Sequence, residues 1–292
     1  MKIVYFLLSL FLVLFSSSIQ AQNYKFFGVL TLANQSKQKI SYHLFFTQNN
    51  GVVSGYSITD IGGKHETKNI ITGRYDPVSK VFSFKEEEII YTKSKLSQDI
   101  FCFVNYSGVL KFKGKEAMLK GDFNGKFKNL STCATGTINL WGEDAIKNVL
   151  TKIDKKIEKK DIYRSNTPKL KETFENLYNQ NIVNKENLNV FVENKPTIKI
   201  LIWDNATQDG DRIDMYLNGK KILNDYEVLN QKKEIILNLE RKQNILKIVA
   251  LNQGSQGLNT VMVSVENNEA VQFQSNLKIN ESSTVTFVKK DN

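Results

Sequence analysis

From residue 23 to residue 141, apolar and polar side chains alternate in short runs that Gly, Asn and Asp keep interrupting. A period of two is the spacing at which side chains leave opposite faces of a strand, so this stretch calls for sheets with one buried face. In Lys39–Phe46, for example, Ile40, Tyr42, Leu44 and Phe46 share one face, while Ser41, His43 and Phe45 share the other. Candidate strands run over 24–33, 39–47, 51–59, 66–74, 79–91, 100–106, 108–113, 116–123 and 133–141. Turn signals divide them, among them Asn49-Asn50-Gly51, Asp76-Pro77, the stretch from Asn105 to Gly108, and Asn124-Gly125. Consecutive strands with short turns make an antiparallel meander, and a meander of about eight strands removes its open edges by curling into a barrel. A flattened two-sheet sandwich has the same periodicity and is the alternative.

The first 21 residues read as an address. Lys2 precedes the apolar run Ile3–Phe15, broken only by Ser9, and a Ser-rich stretch then leads to Ala21. That order of charge, apolar core and small residue marks a secretory signal. Thirteen residues span about 20 Å of helix, short of the roughly 30 Å hydrocarbon core, and no later run is long enough for a transmembrane helix. The mature chain is therefore expected outside the cytoplasm, in the periplasm, at the cell surface or beyond it. Export gives the only two cysteines, Cys102 and Cys133, the reading of a structural disulfide. On strands separated by a third, the span of about 9–10 Å would exceed disulfide reach, so the two must sit at strand ends or on adjacent strands.

Beyond residue 141 the texture changes twice. Residues 142–196 read as a helical connector. Ile146, Val149, Leu150, Ile153 and Ile157 recur at helical spacing between lysines, and Thr167-Pro168 suits the opening of a second helix carrying Leu170, Phe174, Leu177 and Tyr178. Residues 197–292 return to alternating Ile, Val and Leu, as in Ile198, Ile200 and Ile202 or Val261, Val263 and Val265. Seven or eight short strands in such a length fit an immunoglobulin-like β-sandwich. The expected fold is thus mainly β: a barrel over 22–141, a helical connector, and a sandwich over 197–292. Net charge is +10, and because the last third balances its charges, the excess sits in the first two thirds.

The run Ile202-Trp203-Asp204-Asn205, followed by Asp209-Gly210-Asp211, Ile213 and Leu217-Asn218-Gly219, resembles a module that recurs at the C-termini of exported bacterial proteins. Asn252, Gly254 and Asn259-Thr260 match it further on, while Lys242-Gln243-Asn244 and Gly257-Leu258 depart from it at turns. The resemblance implies a β-sandwich and no particular activity. Residues 23–141 are similar to lipocalin- or avidin-like barrels in strand pattern.

Residues with chemical potential are few. Asp204, Asp209, Asp211 and Asp214 lie within eleven positions, a density of carboxylates that suits calcium, which takes six to eight oxygen ligands. The competing reading is an acidic loop whose aspartates bond backbone amides and whose Gly210 takes positive φ. Glu86, Glu87 and Glu88 interrupt a strand pattern, so that with Tyr42 and Phe84 an inward Glu86 or Glu88 could bind a ligand inside a barrel; the competing reading has the triplet solvated at a barrel rim or bulge. His43 and His65 are the only imidazoles, and no H-x-x-x-H, C-x-x-C, G-x-S-x-G or phosphate-loop spacing accompanies them. These features favour an exported, non-enzymatic binding or interaction protein that needs no cofactor unless the aspartates hold calcium. Its partner would be a small apolar or amphipathic ligand, an envelope or surface protein, or a glycan, and no nucleic acid. The alternative is a hydrolase of envelope glycan or peptide, pairing Glu86 or Glu88 with Asp60 or Asp76.

Overall fold

The structure, a computed structural model, describes residues 22–113, 116–158, 170–171, 174, 182–183, 187–205, 207–255, 257–266 and 268–291. The expected signal segment 1–21, the Thr167-Pro168 helix opening, and Leu177 and Tyr178 lie outside the described residues.

Eight antiparallel strands come first: β1 (Gln22–Leu32), β2 (Lys39–Asn49), β3 (Val52–Thr59), β4 (Thr67–Tyr75), β5 (Val81–Thr92), β6 (Phe103–Lys113), β7 (Glu116–Lys126) and β8 (Thr132–Gly142). Each pairs with the next, and β8 returns to β1 through Phe26 opposite Gly142 to Leu32 opposite Gly136, which closes the barrel. Two of the expected strands, 100–106 and 108–113, are one. Gly108 lies in mid-ladder opposite Phe82, and a β-carbon there would run into the Tyr106 hydroxyl. The glycine makes room for an aromatic ring, which a sequence reader mistakes for a turn.

Strand β5 also departs from simple alternation. Ile71 pairs with Glu86 but Ile70 pairs with Glu88, and Asn69 pairs with Ile89 while Lys68 pairs with Tyr91. Glu87 and Ile90 are therefore extra residues, two bulges that shift the phase of the strand. Up to Glu86 the buried positions are Phe82, Phe84 and Glu86; after the bulges Ile89, Ile90, Tyr91 and Thr92 are buried together.

Cys102 and Cys133 form a disulfide with a Cα–Cα distance of 5.9 Å. Strand β7 does lie between β6 and β8, and the bridge crosses it at the ends of all three strands. Cys102 immediately precedes β6, and Cys133 sits where the β7–β8 register shifts between Gly125 and Lys126. Gly125 lies under the crossing: a β-carbon on it would come within 2.5 Å of Cys102 Sγ and 3.3 Å of Cys133 Sγ.

Helix α1 (Glu143–Glu158) follows directly, with Glu143 and Asp144 in its first turn and Lys155 and Lys156 in its last, as the helix dipole favours. Its buried Asp154 accepts the backbone N–H groups of Leu170 (3.0 Å) and Lys171 (3.2 Å), so a side chain of this helix satisfies backbone donors of the later helical residues 170–171. The remaining strands are β9 (Ile182–Val183), β10 (Asn187–Val192), β11 (Thr197–Trp203), β12 (Arg212–Leu217), β13 (Lys220–Glu227), β14 (Lys233–Asn238), β15 (Gln243–Ala250), β16 (Asn259–Val265), β17 (Asn268–Leu277) and β18 (Ser282–Lys289). They form one sheet ordered β14-β11-β16-β17-β9 and a second ordered β13-β12-β15-β18-β10. Both sheets feed a single apolar cluster that includes Ile200, Ile202, Val263 and Phe273 from the first, and Met215, Leu246, Val285 and Phe287 from the second. The hairpin Asn218-Gly219, with φ of 52° and 85°, joins β12 to β13 in the geometry that two-residue Asn-Gly turns favour.

The stretch between the two bodies does more than space them. Residues 187–192, inside the segment read as a helical connector, form strand β10, which pairs in parallel with β18 and antiparallel with Tyr91 and Thr92 at the far end of β5. The barrel wall thereby continues into the C-terminal sheet as one 13-stranded sheet, and Ile90 and Tyr91 belong to the C-terminal apolar cluster. Among the described residues no helix is long and apolar enough to cross a membrane.

Candidate functional site

The inward residues of the barrel fill it. Phe26, Tyr42, Leu44, Phe46, Ile71, Phe82, Leu119, Ile138 and Leu140 are each at most 1 % exposed. Aromatic rings run through this core in contact: Phe26 and Phe46 at 5.9 Å, Phe46 and Phe82 at 4.7 Å, Phe82 and Phe84 at 5.8 Å, Phe84 and Tyr106 at 5.8 Å. Ring pairs at these separations add to the apolar burial that already drives the packing.

The first candidate set divides. Tyr42, Phe84 and Glu86 come together, whereas Glu88 does not. The Glu86 carboxylate accepts the Tyr42 hydroxyl (2.8 Å) and the Ser57 hydroxyl on Oε1, and the Val104 N–H (2.7 Å) on Oε2. Burial raises the Glu86 pKa, against the donors of Ser57, Val104, Tyr42 and Asn69, which pull it down. The same burial, with the Glu86 charge behind it, lifts the Tyr42 phenol well above its ordinary range. Both carboxylate oxygens are engaged and the residue is 5 % exposed, so chemically the group ties β2, β3, β5 and β6 together in the core. Glu88, displaced by the bulge, is exposed and pairs with Lys290. Asp60 accepts the His65 N–H (2.9 Å) and Asp76 the Val78 N–H (2.9 Å) within their own turns.

The outer wall carries a cleft of about 780 Å³ across β3 to β7. Two cross-strand rows of outward side chains line it. One runs Ser54, Thr72, Lys85, Asn105, Asn124, and the other Val52, Arg74, Ser83, Ser107. The row between them, Val53, Gly73, Phe84, Tyr106 and Phe123, turns inward and supplies the floor. Five strands at about 4.8 Å spacing make the cleft about 19 Å across. Its charges are Arg74, Lys85 and Lys126 against Asp122, with Lys85 bridged to Glu87 at 2.8 Å and Glu87 held by the Thr72 hydroxyl at 2.7 Å. The sequence signal for this surface is the recurrence of Ser, Thr and Asn at the outward positions of successive strands. Reading it requires the register, which single-sequence periodicity does not supply. A second, smaller cleft of about 430 Å³ lies at the seam between the barrel and β18, and includes Glu87, Glu88, Lys242, Lys290 and Asp291.

The two histidines differ sharply. His65 is exposed. His43 faces outward from the barrel, opposite in phase to Tyr42, yet is only 5 % exposed. It stacks on Phe27 at 4.2 Å and meets the edge of Tyr56, and Phe174 from the helical segment packs edge-on against Phe27. Burial, assisted by the Lys68 and Lys25 charges, lowers the His43 pKa to about 3. Lys68, also buried, lies over the Tyr56 ring at 3.7 Å, and desolvation lowers its pKa to about 7 despite the nearby Glu66 charge. No sequence pattern marks this outer face as covered, because the cover comes from residues far along the chain.

The acidic set in the C-terminal half also divides. Asp204, Asp209 and Asp211 bring carboxylate oxygens within 4.8 Å of one another. Asp204 and Asp211 are each 1 % exposed, and Gly210 between the other two takes φ of 88°. Asp211 Oδ2 accepts the Thr260 N–H at 2.6 Å. Desolvation raises the Asp211 pKa; the Thr260 N–H opposes that, and the Asp209 and Asp204 charges add to it. Two like charges at 4.8 Å repel by roughly 3–4 kcal/mol at an effective dielectric constant of about 20. Asp214 belongs elsewhere. It pairs with Lys221 at 2.7 Å, accepts the Tyr216 hydroxyl and the Asp225 N–H, and is held below the usual carboxylate range by those contacts, Lys221 first.

Comparison with family models, with curated proteins and with solved structures returns no match for this chain.

Proposed function

We propose that this is an exported, non-enzymatic binding protein that holds a polar, hydroxyl-rich chain such as an envelope glycan on the outer wall of its barrel. The C-terminal half, read as an immunoglobulin-like sandwich, serves as a surface or assembly module. The observation that carries the reading is the division of space in the barrel: its interior is packed with its own aromatic rings, and the open volume of about 780 Å³ lies outside. That cleft presents the amides of Asn105 and Asn124, the hydroxyls of Ser54, Thr72, Ser83 and Ser107, and the cations Arg74 and Lys126. Amides and hydroxyls suit sugar hydroxyls, since each is both donor and acceptor, and the cations suit uronate or phosphate groups. Export is supported by the leader-like N-terminus and by the disulfide across β7.

The test is calorimetric titration of purified envelope polysaccharides into the full chain at low and high salt. Asn105→Ala and Asn124→Ala together are expected to weaken binding at least tenfold, and Arg74→Ala to remove its salt dependence. Undiminished binding by the cleft variants would refute the outer-wall reading. New reducing ends appearing during incubation with wild type would establish a hydrolase instead.

A further inference from the structure

We propose that Asp204, Asp209 and Asp211 form a calcium site that clips the two C-terminal sheets together at one end. Asp204 follows the last residue of β11 in one sheet, and Asp211 immediately precedes β12 in the other. Thr260 of β16, through its N–H and hydroxyl, fixes the Oδ2 side of Asp211. Oδ1 of that same carboxylate, on a residue 1 % exposed, accepts no hydrogen bond among the described residues, and the carboxylate belongs to the group in which Asp204, Asp209 and Asp211 each bring an oxygen within 4.8 Å of the others. Buried polar atoms are almost always satisfied, so an anionic oxygen locked in place without a donor points to a ligand that supplies positive charge. The basic side chain closest in sequence turns away: Arg212 binds Asp225 at 2.7 Å and Glu227 at 3.6 Å.

A second orphan sits on the residue before Thr260. Asn259 is fully buried and uses its amide N–H to reach the Arg212 carbonyl at 3.0 Å, while its Oδ1 has no partner among the described residues. Oxygens around one calcium ion at 2.3–2.6 Å are at most about 4.6–5.2 Å apart, so three carboxylates within 4.8 Å of one another can share it. A magnesium sphere of about 2.1 Å radius spans only about 4.2 Å and keeps its waters, so the arrangement favours the larger ion. The ion would join the β11 end, the Asp209–Asp211 loop and the strand that carries Thr260.

Calcium chloride titrated calorimetrically into chelator-treated full-length protein should show one saturable site, with a Kd of about 10⁻⁴–10⁻³ M or tighter, as for extracellular calcium modules. Calcium should also raise the wild-type Tm, and magnesium at the same concentration should raise it less. Asp211→Asn, which keeps an oxygen for Thr260, is expected to lose the calcium response and, in EDTA, to melt at or above wild type because one of three like charges is gone. Asp209→Asn should behave the same way, and Asp214→Asn should retain the calcium response. A purely structural Asp211 would instead make Asp211→Asn less stable with or without calcium. The proposal is overturned if folded wild type shows no saturable calcium binding, or if Asp211→Asn and Asp209→Asn respond to calcium as wild type does.

Discussion

Replacing Glu86 separates a core tie from a ligand reader. In Glu86→Ala, the Tyr42 hydroxyl, the Ser57 hydroxyl and the Val104 N–H all face a hole. An orphaned buried donor costs about 1–3 kcal/mol, and relief from burying a charge offsets part of the sum. The expected loss is about 3–6 kcal/mol, a large share of the roughly 5–15 kcal/mol available to a folded domain. Glu86→Gln keeps the volume and two hydrogen-bonding atoms, so it should cost only about 1–2 kcal/mol. The pH dependence has a definite sign. Burial raises the folded pKa above its ordinary 4.5, so the folded form favours the neutral carboxyl. Stability from this group is complete below pH 4.5 and declines as pH rises through the folded value, so wild type should lose ground to Glu86→Gln as pH increases. Urea denaturation of the three proteins from pH 4 to pH 8 measures both effects. A Glu86→Ala variant as stable as Glu86→Gln, or a wild-type advantage that grows with pH, would refute the account.

His43 should oppose that trend. Its folded pKa near 3, against 6.5 unfolded, makes its contribution present above pH 6.5 and lost as pH falls toward 3, by about 2 kcal/mol at pH 5. Wild type and His43→Phe, which keeps the ring stack on Phe27, should therefore differ by that much less at pH 5 than at pH 7.5 in urea titrations. Removing the disulfide with Cys102→Ala and Cys133→Ala should cost about 3–4 kcal/mol for a separation of 31 residues, read as a drop in denaturation midpoint. Gly125→Ala should cost about 1–3 kcal/mol in the bridged protein and clearly less in the doubly substituted one, because its β-carbon meets the sulfur atoms. Equal costs in the two backgrounds would sink the crossing argument.

The barrel strands, apart from the break at Ser107, and the cysteine pairing were legible in the sequence, because each depends on local spacing or on a compartment argument, whereas strand β10 inside the expected helical connector was not. For Glu86–Glu88 the sequence leaves a rim or a bulge as one reading without locating it, and it shows nothing of the bulge at Ile90. Alternation assigns Glu86 and Glu88 to one face, and one inserted residue is invisible to a period of two. Gly108 was misleading in the opposite direction, since a turn signal and a space for Tyr106 look alike in one dimension. Asp214 left the acidic group because Lys221, across the β12–β13 hairpin, claims it. The outer cleft and the burial of His43 depend on register and on distant cover, neither of which a linear pattern records.

Strand β5 serves two bodies, its first half closing the barrel against β6 and its last residues holding β10. A truncated chain ending near residue 141 would expose that last stretch as an unsatisfied ledge of N–H and C=O groups beside Ile90 and Tyr91, a template for self-association. The front half is therefore a poor choice for separate expression, and the intact protein should lose its two halves in one cooperative melt.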